Sequence, residues 1–167
     1  MNCLPALRTL AACLALTALP ALAEVNFVRK ITPVDVPGEN YEQIAAAYQK
    51  MRASRFSTLE AQFEAQYSMR SFPGICTVTK NVVNATVIGA VPRALGSFVD
   101  PQTRLKWEQL TAEVTDRLKA YEAKTLAAAQ EMDRLILALP EQTSCDEVRR
   151  LAGEIVERTN TKHLGAP

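Results

Sequence analysis

Apolar and polar residues follow a helical spacing through much of the chain after residue 40. Between residues 40 and 70 the apolar positions recur every three to five residues, so they fall along one side of a helix. Asn40 is a suitable N-cap, and Gln43 stands three residues later, where its side chain can bond back to the cap. The pattern predicts a helix over residues 40–70. Its aromatic stripe consists of Tyr41, Tyr48, Phe56, Phe63 and Tyr67.

A longer helix is predicted after Asp100-Pro101, because an aspartate cap followed by proline at the first helical position is a strong start signal. Behind it, apolar and small residues alternate in steps of four and three from Trp107 to Leu139, and a proline follows. A helix over residues 101–139 would be roughly 58 Å long. Its heptad seam consists of Trp107, Thr111, Val114, Leu118, Tyr121, Thr125, Ala128, Met132, Leu135 and Leu139.

Two shorter segments are predicted nearer the ends of the chain. Residues 24–39 hold four Val residues and two prolines, which indicates an extended arm or an edge strand, since proline interrupts both helices and strand ladders. Ser144 and Glu147 form a capping box, and apolar positions from Val148 to Val156 indicate a short amphipathic helix behind it. Residues 161–167 are expected to form a flexible tail.

Residues 75–91 give two conflicting signals. The segment is rich in Val, Ile and Thr, which favour strands by propensity. Strict alternation of apolar and polar residues fails, however, whereas helical spacing gathers Ile75, Val78, Val82 and Val83 on one side. A buried helix is therefore favoured, and a hairpin remains the alternative.

Together these elements predict an all-α fold. We expect a bundle of about four helices in a single domain over residues 40–160, with residues 24–39 as an extended N-terminal arm. The alternative is an α+β fold with a small hairpin in residues 75–91.

Residues 1–23 have the anatomy of a secretory signal peptide. Arg8 provides a charged start, an apolar run follows, and Ala21-Leu22-Ala23 matches the pattern read by signal peptidase. We therefore expect cleavage near Ala23/Glu24 and a periplasmic or secreted protein. The rival interpretation is a lipoprotein cut at Cys13, but the apolar run before that cysteine is shorter than such signals use.

The charge balance limits the kinds of partner that are expected, and the cysteine content predicts a disulfide. The chain has 19 basic and 18 acidic residues, and Arg8 is the only charge in residues 1–23, so the mature chain is close to neutral. This balance argues against nucleic acid as a partner, because phosphate binding needs a basic surplus. No later run of about 18 apolar residues predicts a membrane span. Cys76 and Cys145 remain after cleavage, and an even pair in an oxidising compartment predicts a disulfide.

Catalytic and metal-binding patterns are weak. The only histidine is His163, in the predicted tail, so neither a histidine base nor a closed zinc site is expected. Glu60 and Glu64 lie one helical turn apart in the predicted helix, and two solvated carboxylates explain them adequately. We expect no enzyme activity and no resident cofactor.

The function predicted from the sequence is therefore contact with another protein in the cell envelope, as an assembly factor, chaperone-like protein or inhibitor. The alternative is a small-molecule or haem carrier built on a helical bundle. The candidate interface residues are Trp107 and the five aromatic residues of the stripe: Tyr41, Tyr48, Phe56, Phe63 and Tyr67. The long seam offers a second route to contact, through a homodimer of the 101–139 helix.

Overall fold

The computed structural model describes residues 24–95 and 100–163, so the expected signal peptide lies outside the described residues. Within these ranges the chain forms an α+β fold with three strands and three helices. Their order and bounds are β1 (Val25–Val36), α1 (Tyr41–Arg55), β2 (Glu60–Phe72), β3 (Ile75–Ala94), α2 (Pro101–Leu137) and α3 (Cys145–His163).

The three strands form one mixed sheet with the order β1-β3-β2. The longest strand, β3, is central: it pairs in parallel with β1 and antiparallel with β2. The expected extended arm is therefore the edge strand β1, with its Pro33 at an edge position, where a missing N–H is tolerated. The prediction of an all-α bundle is wrong, and the α+β alternative fits.

The predicted helix over residues 40–70 divides into two elements. Helix α1 begins after Asn40, whose side chain accepts from the Gln43 N–H as expected, but it ends at Arg55. From Glu60 onward, small or apolar residues alternate strictly with polar ones, and this segment is strand β2. The aromatic residues are four apart at Phe63 and Tyr67, a spacing that fits one face of a strand as well as one side of a helix.

The favoured helix over residues 75–91 is also wrong, because this segment is the central strand β3. Its pairing partner in the hairpin is β2, so the hairpin extends well beyond the 75–91 segment of the alternative. A central strand with apolar residues on both faces loses the alternation that marks a half-buried strand. Val83, Ala85 and Val87 point to the core, while Val82 and Ile88 lie on the other face and are half-buried.

Helix α2 begins where the sequence predicts. The Asp100 carboxylate accepts from the N–H groups of Gln102 and Thr103 at 3.2 and 2.9 Å. The heptad seam does not form a coiled coil, because its residues pack against the sheet and the other two helices of the same chain. The seam residues that are buried this way are Trp107, Thr111, Val114, Tyr121, Thr125 and Met132.

Helix α3 begins behind the expected cap, where the Ser144 hydroxyl accepts from the Glu147 N–H at 3.2 Å. It continues to His163, so the first three residues of the expected flexible tail are helical. Asn160 fixes the helix to the edge of β2. The Phe63 N–H donates to Asn160 Oδ1 at 3.0 Å, and Asn160 Nδ2 donates to the Phe63 carbonyl at 2.9 Å. One side-chain amide thus takes the place of a neighbouring strand and covers part of an exposed edge.

Two hydrophobic cores hold these elements together. The larger core lies between the sheet, the C-terminal half of α2 and α3, and is mostly aliphatic: Leu59, Ala61, Phe63, Val83, Ala85, Val87, Tyr121, Ala129, Met132, Ile136, Ala152 and Ile155. The smaller core lies between α1, the N-terminal half of α2 and the ends of β1 and β3. It contains Val36, Ile44, Tyr48, Phe56, Trp107 and Val114.

Candidate functional site: the tip of the β2–β3 hairpin

The tip of the β2–β3 hairpin is a two-residue turn. Pro73 and Gly74 connect Phe72 to Ile75, which pair with each other across the hairpin. Gly74 has φ of +78°, and proline followed by a residue with positive φ is the pattern of a type II turn. The sequence Pro-Gly therefore specifies this turn locally, because proline presets the first position and glycine accepts the second without strain.

Two large apolar side chains project from this turn into solvent. Phe72 is 55% exposed and Ile75 is 41% exposed. Scattered exposed apolar residues are normal, but an aromatic and a β-branched residue paired at one protruding turn form a contiguous apolar surface. We call Phe72, Pro73 and Ile75 the apolar tip.

A cation accompanies the apolar tip. The Arg70 guanidinium lies over the Phe72 ring, 6.0 Å from its centroid. The other two cations of the hairpin are paired with carboxylates. Lys80 pairs with Glu24 at 3.0 Å, and Arg93 pairs with Asp35 of β1 at 2.6 Å. In the part of the chain that the structure describes, Arg70 has no such carboxylate.

The base of the tip is fixed to the start of α3 and to the segment that precedes it. The disulfide expected from the sequence joins Cys76 to Cys145, with 5.2 Å between their Cα atoms. Next to it, the Cys76 N–H donates to the Gln142 carbonyl at 2.7 Å, and the Gln142 N–H donates to the Cys76 carbonyl at 3.0 Å. The residue immediately after the apolar tip is thus held by one covalent bond and two backbone hydrogen bonds.

Comparison with protein families gives a clear assignment for most of this structure. The model of a family described as "Bacterial protein of unknown function (DUF922)" matches residues 31–166, which is well over half of the chain. The chain belongs to the DUF922 family. No curated protein and no solved structure matches it.

The six aromatic residues predicted as an interface occupy three kinds of position in this DUF922 protein. Tyr48, Phe56 and Trp107 are buried in the smaller core, and Phe63 is buried in the larger one. Tyr41 and Tyr67 are half-buried, on different elements. The stripe is therefore divided between two cores by the break after α1, and its role in binding stays a prediction.

No residue of the apolar tip is among the interface residues predicted from the sequence. Its sequence signal is short: Phe72 and Ile75 flank Pro73-Gly74, and Cys76 follows. Pro-Gly between two apolar residues is a turn signal, and a cysteine beside it can fix the turn. A helix over residues 40–70 hides this signal, because it leaves no hairpin for the turn to close.

The candidate chemistry of this DUF922 protein is sparse in the described residues. His163 lies at the end of α3 with its ring 5.5 Å from that of Phe63, and burial lowers the pKa of its imidazole. Glu60 and Glu64 are both exposed on β2. Across residues 24–95 and 100–163, no three His, Cys, Asp or Glu side chains come together as metal ligands.

The helices within the same ranges are too polar or too short to cross a membrane. None of them combines the required length with sufficient apolar character, although α2 alone is 37 residues long. Its charged residues, such as Arg104, Glu108 and Lys119, recur along the whole helix.

Proposed function

We propose that this DUF922 protein is an exported, non-enzymatic protein that binds another protein of the bacterial cell envelope through its apolar tip. The supporting observation is the exposure of Phe72 and Ile75 on a turn whose base is fixed by a disulfide. Partly exposed apolar side chains gain free energy when a partner removes them from water, at about 25 cal/mol per Å² of apolar area.

The fixed base of the tip favours tight contact. Binding costs conformational entropy whenever loops and side chains become ordered, and a turn that is already ordered avoids much of that cost. At Cys76 the chain is held covalently and by two backbone hydrogen bonds with Gln142. Aromatic and arginine side chains are also enriched among the residues that dominate binding energies, and the tip offers Phe72 beside Arg70.

The tip also defines the chemistry of its partner. Phe72 and Ile75 require an apolar pocket, and Arg70 beside them favours a carboxylate on the rim of that pocket. The matching partner is therefore a folded protein with an apolar cleft bordered by Asp or Glu. Salt should slow association with such a partner more than it accelerates dissociation, because rim charges act mainly on the encounter.

Export is part of the proposal and rests on the signal-like residues 1–23 and on the disulfide, since disulfides persist mainly in oxidising compartments. The carrier alternative required a helical bundle, and the α+β fold removes that basis. The homodimer through the long helix also loses support, because most residues of the apolar seam are buried within the chain and the rest are half-buried.

The proposal is tested by capture from envelope extracts with three matched baits: the wild type, Phe72→Ser and Leu105→Ser. Leu105 lies on α2 and is 54% exposed, close to the value for Phe72, so both substitutions remove a similar exposed apolar surface. We expect the wild type and Leu105→Ser to retain the same protein, and Phe72→Ser to lose it at least tenfold. Equal capture by all three baits would contradict a role for the tip.

An exposed Phe and Ile beside an arginine could also bind a lipid surface. The same variants distinguish lipid binding from protein binding. Co-sedimentation with vesicles containing anionic lipid should be negligible for the wild type if the partner is a protein. Sedimentation of the wild type that is lost in Phe72→Ser would overturn the protein-contact proposal.

A further inference from the structure

The two edges of the sheet differ in how they are covered. On β2, the side-chain amide of Asn160 occupies the outward backbone groups of Phe63. Along β1, no backbone hydrogen bond from the rest of the described chain reaches the outward side of the strand. An uncovered edge is a template for pairing with another strand. The free edge of β1 is therefore a candidate contact surface, and it shares no residue with the apolar tip.

The first half of β1 is the part that can pair. The Glu24 carbonyl accepts from an N–H of β3 at 2.9 Å, so the backbone groups of Glu24 face β3. Because these directions alternate along a strand, Val25, Phe27 and Arg29 direct their N–H and C=O groups away from the sheet. Further along the strand, Pro33 has no N–H to offer, which limits pairing of the second half.

Helix α2 runs antiparallel to this half of β1, on the core side of the sheet. Arg29 Nη2 donates to Glu122 Oε2 at 2.7 Å. Nearer the other end of the helix, Asp133 is close enough to Glu24 for the two charges to interact. The part of α2 between Glu122 and Asp133 therefore lies beside the strand segment between Arg29 and Glu24.

This part of α2 gives the free edge an apolar border. Leu126 lies one turn after Glu122, on the same side of the helix, and is 38% exposed. On the neighbouring strand, Phe27 packs against the larger core and is only half-buried. A strand added to β1 would therefore cover apolar surface as well as pair with free backbone groups.

The sequence of this strand segment is complementary to itself. When two copies pair in antiparallel with Phe27 opposite Phe27, Glu24 of each copy lies opposite Lys30 of the other. Glu24 is largely exposed and contacts Lys80, and a carboxylate can accept from both lysines. Moving one strand by two residues to lengthen the overlap separates both new charge pairs. Moving it by four places Arg29 opposite Arg29.

We propose that this protein forms a homodimer in which residues 24–30 of β1 pair in antiparallel with the same residues of a second copy. The two sheets then become one continuous sheet with the two β1 strands at its centre. Val25 opposite Arg29, and Phe27 opposite Phe27, each exchange two backbone hydrogen bonds. On the core side, the Phe27 and Leu126 side chains of both copies lose exposure to water. The contact uses the edge of the sheet and not the seam of α2.

The homodimer goes beyond the proposed function, because none of its contact residues belongs to the apolar tip. It has one consequence that rests on that function. A dimer carries two apolar tips, so a partner present in several neighbouring copies would be bound more tightly than by one tip.

The first test is sedimentation velocity of the chain without residues 1–23, which are expected to be cleaved. We expect the sedimentation coefficient to rise with concentration from the monomer value to the dimer value. A single monomeric species at about 1 mM, where even a dimer with a millimolar Kd would be populated, would overturn the proposal.

Charge variants test the register of the pairing. Lys30→Glu and Glu24→Lys each place like charges opposite each other at two positions, so each should weaken the dimer about tenfold. An equimolar mixture of these two variants restores both opposite-charge pairs, and it should sediment as a heterodimer with about the affinity of the wild type. Lys50→Glu makes the same charge change at an exposed position of α1 and should dimerise like the wild type.

Variants of exposed apolar residues test the border of the edge. Leu126→Ser should weaken the dimer, whereas Leu105→Ser, also exposed on α2, should not. Phe72→Ser should dimerise like the wild type, so failure of the tip contact and failure of the dimer are separate results. Circular dichroism checks that each variant is folded. Dimerisation of Lys30→Glu as tight as that of the wild type, or a mixture of the two charge variants no tighter than either alone, would overturn the proposal.

Discussion

The two cores differ in how they are built and in what lies at their surfaces. The larger core is mainly aliphatic, and two of the elements that pack around it, β3 and α3, are joined covalently by the Cys76–Cys145 disulfide. The smaller core depends on three aromatic rings, Tyr48, Phe56 and Trp107, and no disulfide joins its elements in the described chain. The two halves therefore differ in how their elements are held: the cross-linked half fixes the base of a protruding tip, whereas the aromatic half depends on packing between its rings.

Both halves of the molecule contain buried polar groups without a partner among the described residues. At the larger core Asn81 Nδ2 donates to Asp133 Oδ1 at 2.9 Å, but Asn81 Oδ1 has no partner there. Near the smaller core the hydroxyl of Tyr48 and the Nε–H of Arg117 have no acceptor in the described residues. Buried polar groups are usually paired within a protein, so each half keeps exceptions to that rule and the two cores do not differ in this respect.

The largest expected effect concerns the cross-link of the larger core. Replacing Cys76 and Cys145 together by Ala should lower the free energy of unfolding by about 4 kcal/mol, because the bond closes a loop with a sequence separation of 69 residues. Urea denaturation of the oxidised wild type and the double variant measures this directly. Equal denaturation midpoints would show that the larger core does not depend on its cross-link, and the contrast between the cores would fail.

A somewhat smaller effect is expected from removing one of the three aromatic rings of the smaller core. Trp107→Ala should cost about 3 kcal/mol, near the lower end for buried aromatic residues, because Trp107 keeps 8% of its surface exposed. Leu105→Ala, two residues away and exposed, is the control and should change stability by less than about 0.5 kcal/mol. If the two variants have the same melting temperature, Trp107 does not stabilise the core and becomes a candidate interface residue again.

The smallest effect concerns Asp133 and depends on pH. Burial raises the pKa of its carboxyl, while the hydrogen bond from Asn81 acts in the opposite direction, and nearby Glu24 raises it further. A folded-state pKa above the unfolded value means that the ionised form opposes folding at neutral pH. The free energy of unfolding therefore increases as the pH falls through the folded-state pKa of Asp133 towards its unfolded-state pKa.

Asp133→Asn should therefore raise the melting temperature at pH 7 and reduce the dependence of stability on pH in the mildly acidic range. The substituted amide also supplies a donor for Asn81 Oδ1, which has no partner in the described chain. Asp116→Asn is the control, because Asp116 is exposed on α2 and forms only a surface pair with Lys119. A lower melting temperature for Asp133→Asn at pH 7 would contradict the assigned pKa direction.

Local signals predicted where the three helices begin, but not where the first of them ends. Asn40, Asp100 and Ser144 cap helices where the sequence indicated, because a cap involves only a few neighbouring residues. The disulfide could also be predicted from the sequence, since only two cysteines remain outside residues 1–23.

The sheet could not be predicted in the same way, because strand pairing depends on residues far apart in the sequence. Phe63 and Tyr67 fit a helix and a strand equally, and β3 is apolar on both faces because it is central. A helix through residues 60–70 also leaves the apolar tip with no hairpin to close. The alternation from Glu60 to Arg70 is the signal that corrects both errors.

The central functional claim, that the apolar tip contacts a protein partner, is tested most directly by photo-crosslinking in bacterial cells. A benzophenone amino acid replaces Phe72 in one variant and Leu105 in the other, both exposed positions of similar accessibility. We predict a discrete protein adduct from position 72 and none from position 105. A lipid adduct from position 72, or the same adducts from both positions, would contradict the proposed function.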